Sequence, residues 1–368
     1  MRFRSALGII EYPDYNGILI RNEKTINMKN VALLIAAGFL VLILSLSTGQ
    51  SATKSQAIDL GSFYSKPDVT IAVTDSGLGG LAIMAEAASR LAEARIFKSV
   101  NFVFFNALFS NESGYNSLKT REEKIAVFNS ALESLARKYR PDIILIGCNT
   151  LSVLYEKTPF FKAAKITVLG IVEPGVDLIA EELKDHPGSA VILFGTETTI
   201  GEGEHKKKLL EKGVKEEQII AQACPELANY IEKDCKSDGT GLLIESYVEE
   251  ALAKMKNPAA PVLASLVCTH YGYSLDIWSK VFESRGVKSF AILNPNSKMA
   301  EILISTKLKN RFAATAIQAK VVSMVEISRQ KTDSLGEWLR KVSPETAAAL
   351  AKYELKPELF EWKRFIKE

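Results

Sequence analysis

Short unbroken apolar runs recur along this chain with helical stretches between them, and this alternation constrains the fold more than any other feature. Val69 to Thr74, Val100 to Phe105, Asp142 to Ile146, Thr167 to Val172 and Ala190 to Phe194 read as strands. So do Gln218 to Gln222, Val262 to Val267, Ser289 to Leu293 and Val321 to Glu326. Leu81 to Leu91, Thr120 to Tyr139, Gly241 to Lys256 and Ser334 to Val342 are helical by apolar spacing, the second stopping before Pro141. Strands alternating with helices argue for a parallel α/β architecture.

A chain of 368 residues can hold two domains of ordinary size. Charged residues make up 24% and the net charge is +3, which excludes an extended nucleic-acid surface. Four cysteines, none in a Cys-x-x-Cys pair, are too few for a disulfide scaffold, and three histidines argue against a zinc site. The expected partner is a small molecule, with a homodimer left open.

Two of the strands end alike. Gly147-Cys148-Asn149-Thr150 follows one apolar run and Val267-Cys268-Thr269-His270 closes another. One half of the chain runs from a strand through Asp75-Ser76-Gly-Leu-Gly-Gly to Cys148; the other runs from a strand through Gly195-Thr196-Glu-Thr-Thr199 to Cys268. The pattern predicts two similar parallel-sheet α/β domains facing each other across a cleft. Both cysteines would then sit at the carboxyl ends of their strands, where open α/β sheets bind ligands.

Two thiols on opposite sides of one substrate carbon are an acid/base pair. A free thiol has a pKa of about 8.5, so a partner is needed to raise the thiolate fraction at neutral pH. Asp75 and His270 are placed for that role. Cys224, before Pro225, and Cys235 are expected to be structural, since a buried cysteine usually behaves as a small hydrophobe. Asp75 to Gly80 lacks the Lys of a phosphate loop; it reads either as a tight turn using glycine at positive φ or as a substrate loop with Ser76 as a gripping group. His186 is expected in a surface loop, and His205 on a solvated face.

The N-terminus carries Met28-Lys29-Asn30, the apolar run Val31 to Leu44, and small residues beyond it. These are the parts of a secretory signal, whose apolar region spans roughly 7–15 residues. The expected organisation is an extension over 1–27, upstream of a start at Met28; a signal peptide or membrane anchor over 28–50; and a linker over 51–66. A first domain follows over 67–168, completed by 270–342, with a second over 169–269. A C-terminal helical extension of two short helices occupies 343–368. Membrane contact is expected only through the apolar run, and export, periplasmic or membrane-anchored, follows if the leader acts as one.

From about Pro67 to Val342 the chain resembles glutamate racemase of the Asp/Glu racemase superfamily. The resemblance rests on Asp75 to Gly80, Cys148-Asn149-Thr150, Gly170-Ile-Val-Glu-Pro-Gly175, Gly195-Thr196-x-x-Thr199, Ala223-Cys224-Pro225 and Cys268-Thr269-His270-Tyr271, in the family's order. It implies an isomerase with substrate held between two domains, no pyridoxal phosphate and no metal. One cysteine would deprotonate the α-carbon and the other reprotonate it. By the same resemblance Asp75 and His270 assist the thiols, while Ser76, Asn149, Thr150, Thr196, Thr199, Thr269 and Tyr115 form the substrate pocket. The family default is cytoplasmic supply of D-glutamate for cell-wall peptidoglycan.

Two departures stand out. Tyr115 lies between Gly114 and Asn116, where the family carries Pro and Gly, in an altered loop from Asn106 to Asn116. Glu202 and His205 replace a Ser and a Tyr. The competing readings are an isomerase of the same superfamily acting on aspartate, a hydantoin or a maleate-like diacid, and an exported, non-catalytic ligand-binding relative.

Overall fold

The computed structural model describes the backbone of residues 18–22 and residues 60–366. Strands β1 (Ile18–Asn22), β2 (Asp68–Asp75), β3 (Ser99–Asn106), β4 (Ile143–Ile146), β5 (Thr167–Gly170) and β6 (Ala190–Gly195) are followed by β7 (Ile219–Ala223), β8 (Val262–Val267), β9 (Ser289–Leu293), β10 (Ala316–Ser323) and β11 (Glu354–Leu355). They form two sheets. The first is six-stranded, in the order β11-β10-β3-β2-β4-β5, and every pair in it is parallel. The second is five-stranded, in the order β1-β9-β8-β6-β7, parallel except where β1 pairs antiparallel with β9.

Central strands β4, β6 and β8 are buried at every residue. That is the physical meaning of their unbroken apolar runs: helices cover both faces of a parallel sheet, so no polar alternation is needed. The helix Leu81–Ala94 is buried along most of its length, with alanines at 82, 85, 87, 88 and 94 permitting close approach. The helix Arg121–Tyr139 begins at a reciprocal cap: the Thr120 side chain accepts from the Glu123 backbone N–H while the Glu123 carboxylate accepts from that of Thr120.

Several boundaries differ from the sequence expectation. Strand β9 pairs with β8, in register from Val262–Phe290 to Ser265–Leu293, so the second domain continues through Leu293. The chain rejoins the first sheet only at β10, not at residue 270. Residues 60–66, expected as linker, include the helix Gly61–Ser65; its Phe63 is buried with its ring 5.1 Å from that of Phe97.

The C-terminal extension contains one of its two expected helices, Pro344–Ala351. In place of the second there is a single 3-10 turn, Lys363–Phe365; just before Pro357, β11 adds to the edge of β10, where the Lys356 backbone N–H donates to the Ser323 carbonyl at 2.7 Å. Pairing that edge satisfies backbone groups of β10 that would otherwise stay open. Beyond it, Leu359 and Phe360 are buried in the first domain's core.

The signal or anchor at 28–50, the rest of the 1–27 extension and residues 51–59 lie outside the described residues. Among the described residues no helix is long and apolar enough to cross a membrane.

Candidate active site

The carboxyl ends of the two sheets meet, and the expected site residues meet with them. Asp75 ends β2. Its buried carboxylate accepts the backbone N–H groups of Gly77 (3.0 Å) and Gly80 (2.7 Å) and the hydroxyl of Thr269 (2.8 Å) from the other domain. The glycines of this loop are there for space. None of them has positive φ among the described residues. A Cβ at Gly79 would lie 2.8 Å from the His270 backbone nitrogen, and one at Gly80 would lie 2.9 Å from the Gly147 carbonyl oxygen. Burial raises the Asp75 pKa, against the opposing charge of His270 and its hydrogen bonds from Thr269 and Gly80.

Cys148 follows β4 in extended conformation and precedes the helix Asn149–Tyr155. Its sulfur is 3.2 Å from the Ser76 hydroxyl. Burial, with the charge of Asp75 next, pushes the thiol well above its ordinary pKa. Thr150 crosses the cleft, its hydroxyl 2.8 Å from that of Thr196, and the Thr196 hydroxyl donates to that of Thr199 at 3.0 Å. Thr196 also caps the helix Glu197–Glu202.

On the other side the Cys268 sulfur is 3.7 Å from His270 Nδ1. His270 Nε2 is 2.7 Å from Glu232 Oε1, which also accepts the Leu78 backbone N–H at 2.8 Å. The second carboxylate oxygen of Glu232 accepts from Lys331 Nζ at 2.6 Å. Burial alone would raise the pKa of Glu232; bonding to His270 and the charges of His270 and Lys331 overcome it and hold the carboxyl near 2. His270 is likewise buried, yet its bonds to Cys268 and Glu232 raise it well above the usual histidine range. The two thiols thus sit in opposite settings, one beside a carboxylate and a hydroxyl, the other against an imidazolium.

Sequence reading missed Glu232 and Lys331. Glu232 lies in the polar stretch Tyr-Ile-Glu-Lys-Asp; its only signal is that it directly follows Ile231, which is buried one turn beyond Leu227. His205 was expected on a solvated face and is instead 2% exposed, with Nε2 3.1 Å from Asn149 Oδ1. Burial, with Lys208 nearby, lowers its pKa to about 4, so the ring is neutral. Glu202 is bound by two first-domain cations, Arg121 Nε at 2.9 Å and Lys157 Nζ at 2.8 Å. Cys224 and Cys235 are buried and unbridged.

Tyr115 is buried, and its hydroxyl has no hydrogen-bond partner among the described residues. Burial, with the charge of Cys148 next, pushes this hydroxyl well above its ordinary pKa. The altered loop is held from behind by rings: Tyr115 meets Phe109 edge-on at 5.3 Å, and Phe109 lies 5.0 Å from Trp362 of the C-terminal tail.

No family model matches the chain. Among curated proteins it is 29% identical over 218 residues to a glutamate racemase of Clostridium botulinum, covering 59% of this chain and 77% of that one. It is 27% identical over 202 residues to that of Aquifex pyrophilus, covering 55% and 70%. Among solved structures, a glutamate racemase isoform from Bacillus anthracis superposes with a TM-score of 0.56 at 22% identity, covering 74% of this chain and 94% of that one. The Francisella tularensis glutamate racemase in complex with D-glutamate gives 0.55 at 19%, covering 80% and 96%. The chain is thus similar in sequence to glutamate racemases and has the two-domain α/β fold of their solved structures.

Proposed function

We propose that this protein is an amino-acid racemase that interconverts L- and D-glutamate, or a closely related acidic amino acid, by proton transfer between two cysteines. The observation that carries this is the pair of strand-end thiols, each with its own proton partner: Cys148 with Ser76, and Cys268 with His270. In one direction the sulfur of Cys268, 3.7 Å from His270 Nδ1, takes the α-proton. The Cys148 thiol, kept protonated by burial and Asp75, gives a proton to the opposite face. One proton leaves the carbon and one arrives. The reverse direction exchanges the roles.

Burial strengthens each interaction in the cleft by excluding water. The unpartnered Tyr115 hydroxyl and Asn149 Nδ2 are donors suited to a substrate carboxylate. A purely ligand-binding clamp has no use for two thiols with separate proton relays, which is why the catalytic reading is preferred. Provision of a D-amino acid for the cell wall is the role that suits the likeness to glutamate racemases.

The test is incubation of the purified chain with L-glutamate, and separately L-aspartate, in deuterated water. Deuterium at Cα together with the D-isomer is expected with one of them, and that one is the substrate. No exchange with either would sink the racemase reading.

A further inference from the structure

The Glu232–His270–Cys268 chain does not end at Glu232. We propose that Lys331 is a positioning residue that balances the charge of this relay from across the domain boundary, so that the relay is complete only when the domains are closed on each other. The proposal rests on the racemase reading for its kinetic consequence, but not for its electrostatic one.

The geometry is specific. Glu232 comes from the helix Leu227–Lys233 of the second domain. Lys331 comes from the helix Arg329–Val342, after the chain has rejoined the first sheet. Each oxygen of the buried carboxylate has its own charged donor: Oε1 takes His270 at 2.7 Å and Oε2 takes Lys331 at 2.6 Å. The Lys331 side chain is only 25% exposed. Its position on its own helix is unfavourable, because it lies in the first turn after the Ser328 cap, where the macrodipole disfavours cations. Helix stability therefore does not explain a lysine there, whereas the contact with Glu232 does.

The titratable groups around the pair come from every side. Asp75 faces it from the end of β2, Cys268 from the end of β8, and Tyr273 from the turn after β8. Cys235 follows the Glu232 helix. On the Lys331 helix, Arg329 is engaged with Asp333, and Glu337 with Lys236 and Lys341. Of the groups that face Glu232, the cations are His270 and Lys331. Of the two, it is His270 that reaches the Cys268 sulfur, with Nδ1 3.7 Å away. A fixed positive charge lowers the proton affinity of every group near it. It keeps Glu232 ionised and prevents the carboxylate from holding the imidazolium proton too tightly for the sulfur to use.

Lys331→Met removes the charge and keeps the length; Lys331→Arg keeps the charge. Two readouts are taken: NMR titration of the His270 ring, one of three histidines in the chain, and the pH profile of kcat/KM. In Lys331→Met the His270 titration and the corresponding limb of the profile are expected to move up by about one pH unit or more. The loss should fall on kcat, by roughly ten- to a hundredfold, with little change in KM. Lys331→Arg should restore both. If the Met variant does not fold, Lys331→Gln, which keeps a donor to Oε2 without charge, is read the same way. An unchanged His270 titration and pH profile in a folded neutral variant would overturn the proposal and leave Lys331 as a clamp. If the wild-type protein racemises nothing, the functional reading fails by itself, while the NMR titration still decides the role of Lys331.

Discussion

The Thr269 hydroxyl donates to Asp75 Oδ2 at 2.8 Å, joining the end of β2 in one domain to the turn after β8 in the other. Both residues are buried, so the bond forms only where the Asp75 to Gly80 loop and the Cys268-Thr269-His270 string lie against each other. Gly79 makes that approach possible. Gly79→Ala would drive a Cβ to 2.8 Å from the His270 backbone nitrogen, a contact that backbone cannot relieve by turning a side chain. Activity should fall at least a hundredfold, roughly what a misplacement of about 1 Å costs. A crystal structure of the variant should show His270 displaced; near-normal kcat/KM would contradict this account of the loop.

The thiols are expected to be individually indispensable. Cys148→Ser and Cys268→Ser should each lower racemisation by about 10³-fold or more, since a serine hydroxyl is a far weaker base than a thiolate. Cys224→Ser, whose sulfur lies 3.7 Å from the Gln222 carbonyl oxygen, should retain most activity. Chiral chromatography of the product measures all three, and full activity in either of the first two would exclude the two-thiol mechanism.

Stability should respond to pH through the buried histidines in opposite senses. His205 has a folded pKa of about 4 against an ordinary 6.5, so between those values the unfolded chain binds a proton that the folded chain does not. Its contribution is present above pH 6.5 and is lost as the pH falls toward 4. His270 is raised, so its contribution is complete below 6.5 and is lost as the pH rises through its folded value. Glu232, lowered from 4.5 to about 2, adds stability that disappears only below 4.5. Urea unfolding at pH 7 and pH 5 should show acid destabilisation that His205→Gln reduces. An equal slope in the variant would mean that the ring is not held neutral.

The altered loop should tolerate Ala but not Pro at its glycine. Gly114 has φ −124°, far from the value of about −65° that proline imposes. A Cβ there meets only Leu108 Cδ1, at 3.6 Å. Restoring the family's proline is therefore expected to displace Tyr115 rather than improve the pocket. Trp362→Ala removes the ring behind Phe109, an aromatic contact of about 0.5–1.5 kcal/mol. It should raise KM more than it lowers kcat, and steady-state kinetics with the preferred substrate would show the split.

For the N-terminus, the Lys29 and Val31 to Leu44 pattern leads us to expect a mature chain beginning near Ser47 to Thr53 and located outside the cytoplasm. N-terminal sequencing of protein from its native host decides this. A cytoplasmic product that retains the apolar run would refute it.

The strands, most of the helices and both strand-end cysteines were legible in the sequence, because apolar periodicity and chain punctuation are local properties. Cys268 directly follows β8 and Cys148 follows β4 after a single glycine, so wherever the strands went the thiols had to follow. Sheet membership was not local. Nothing in Ser289 to Leu293 says that it pairs with β8 and so extends the second domain, because pairing is decided by which backbone groups remain open once neighbouring strands are placed. The segment just before Pro357 follows the same logic: Glu354 and Leu355 pair with the open edge of β10. Polar burial was the least legible of all. Glu232, His205 and Lys331 lie in segments that read as solvated. Glu232 finds His270 within its own domain, but only the closing of one domain on the other brings Lys331 to Glu232 and Asn149 to His205, and a polar group is stable inside a protein only where its partners already wait.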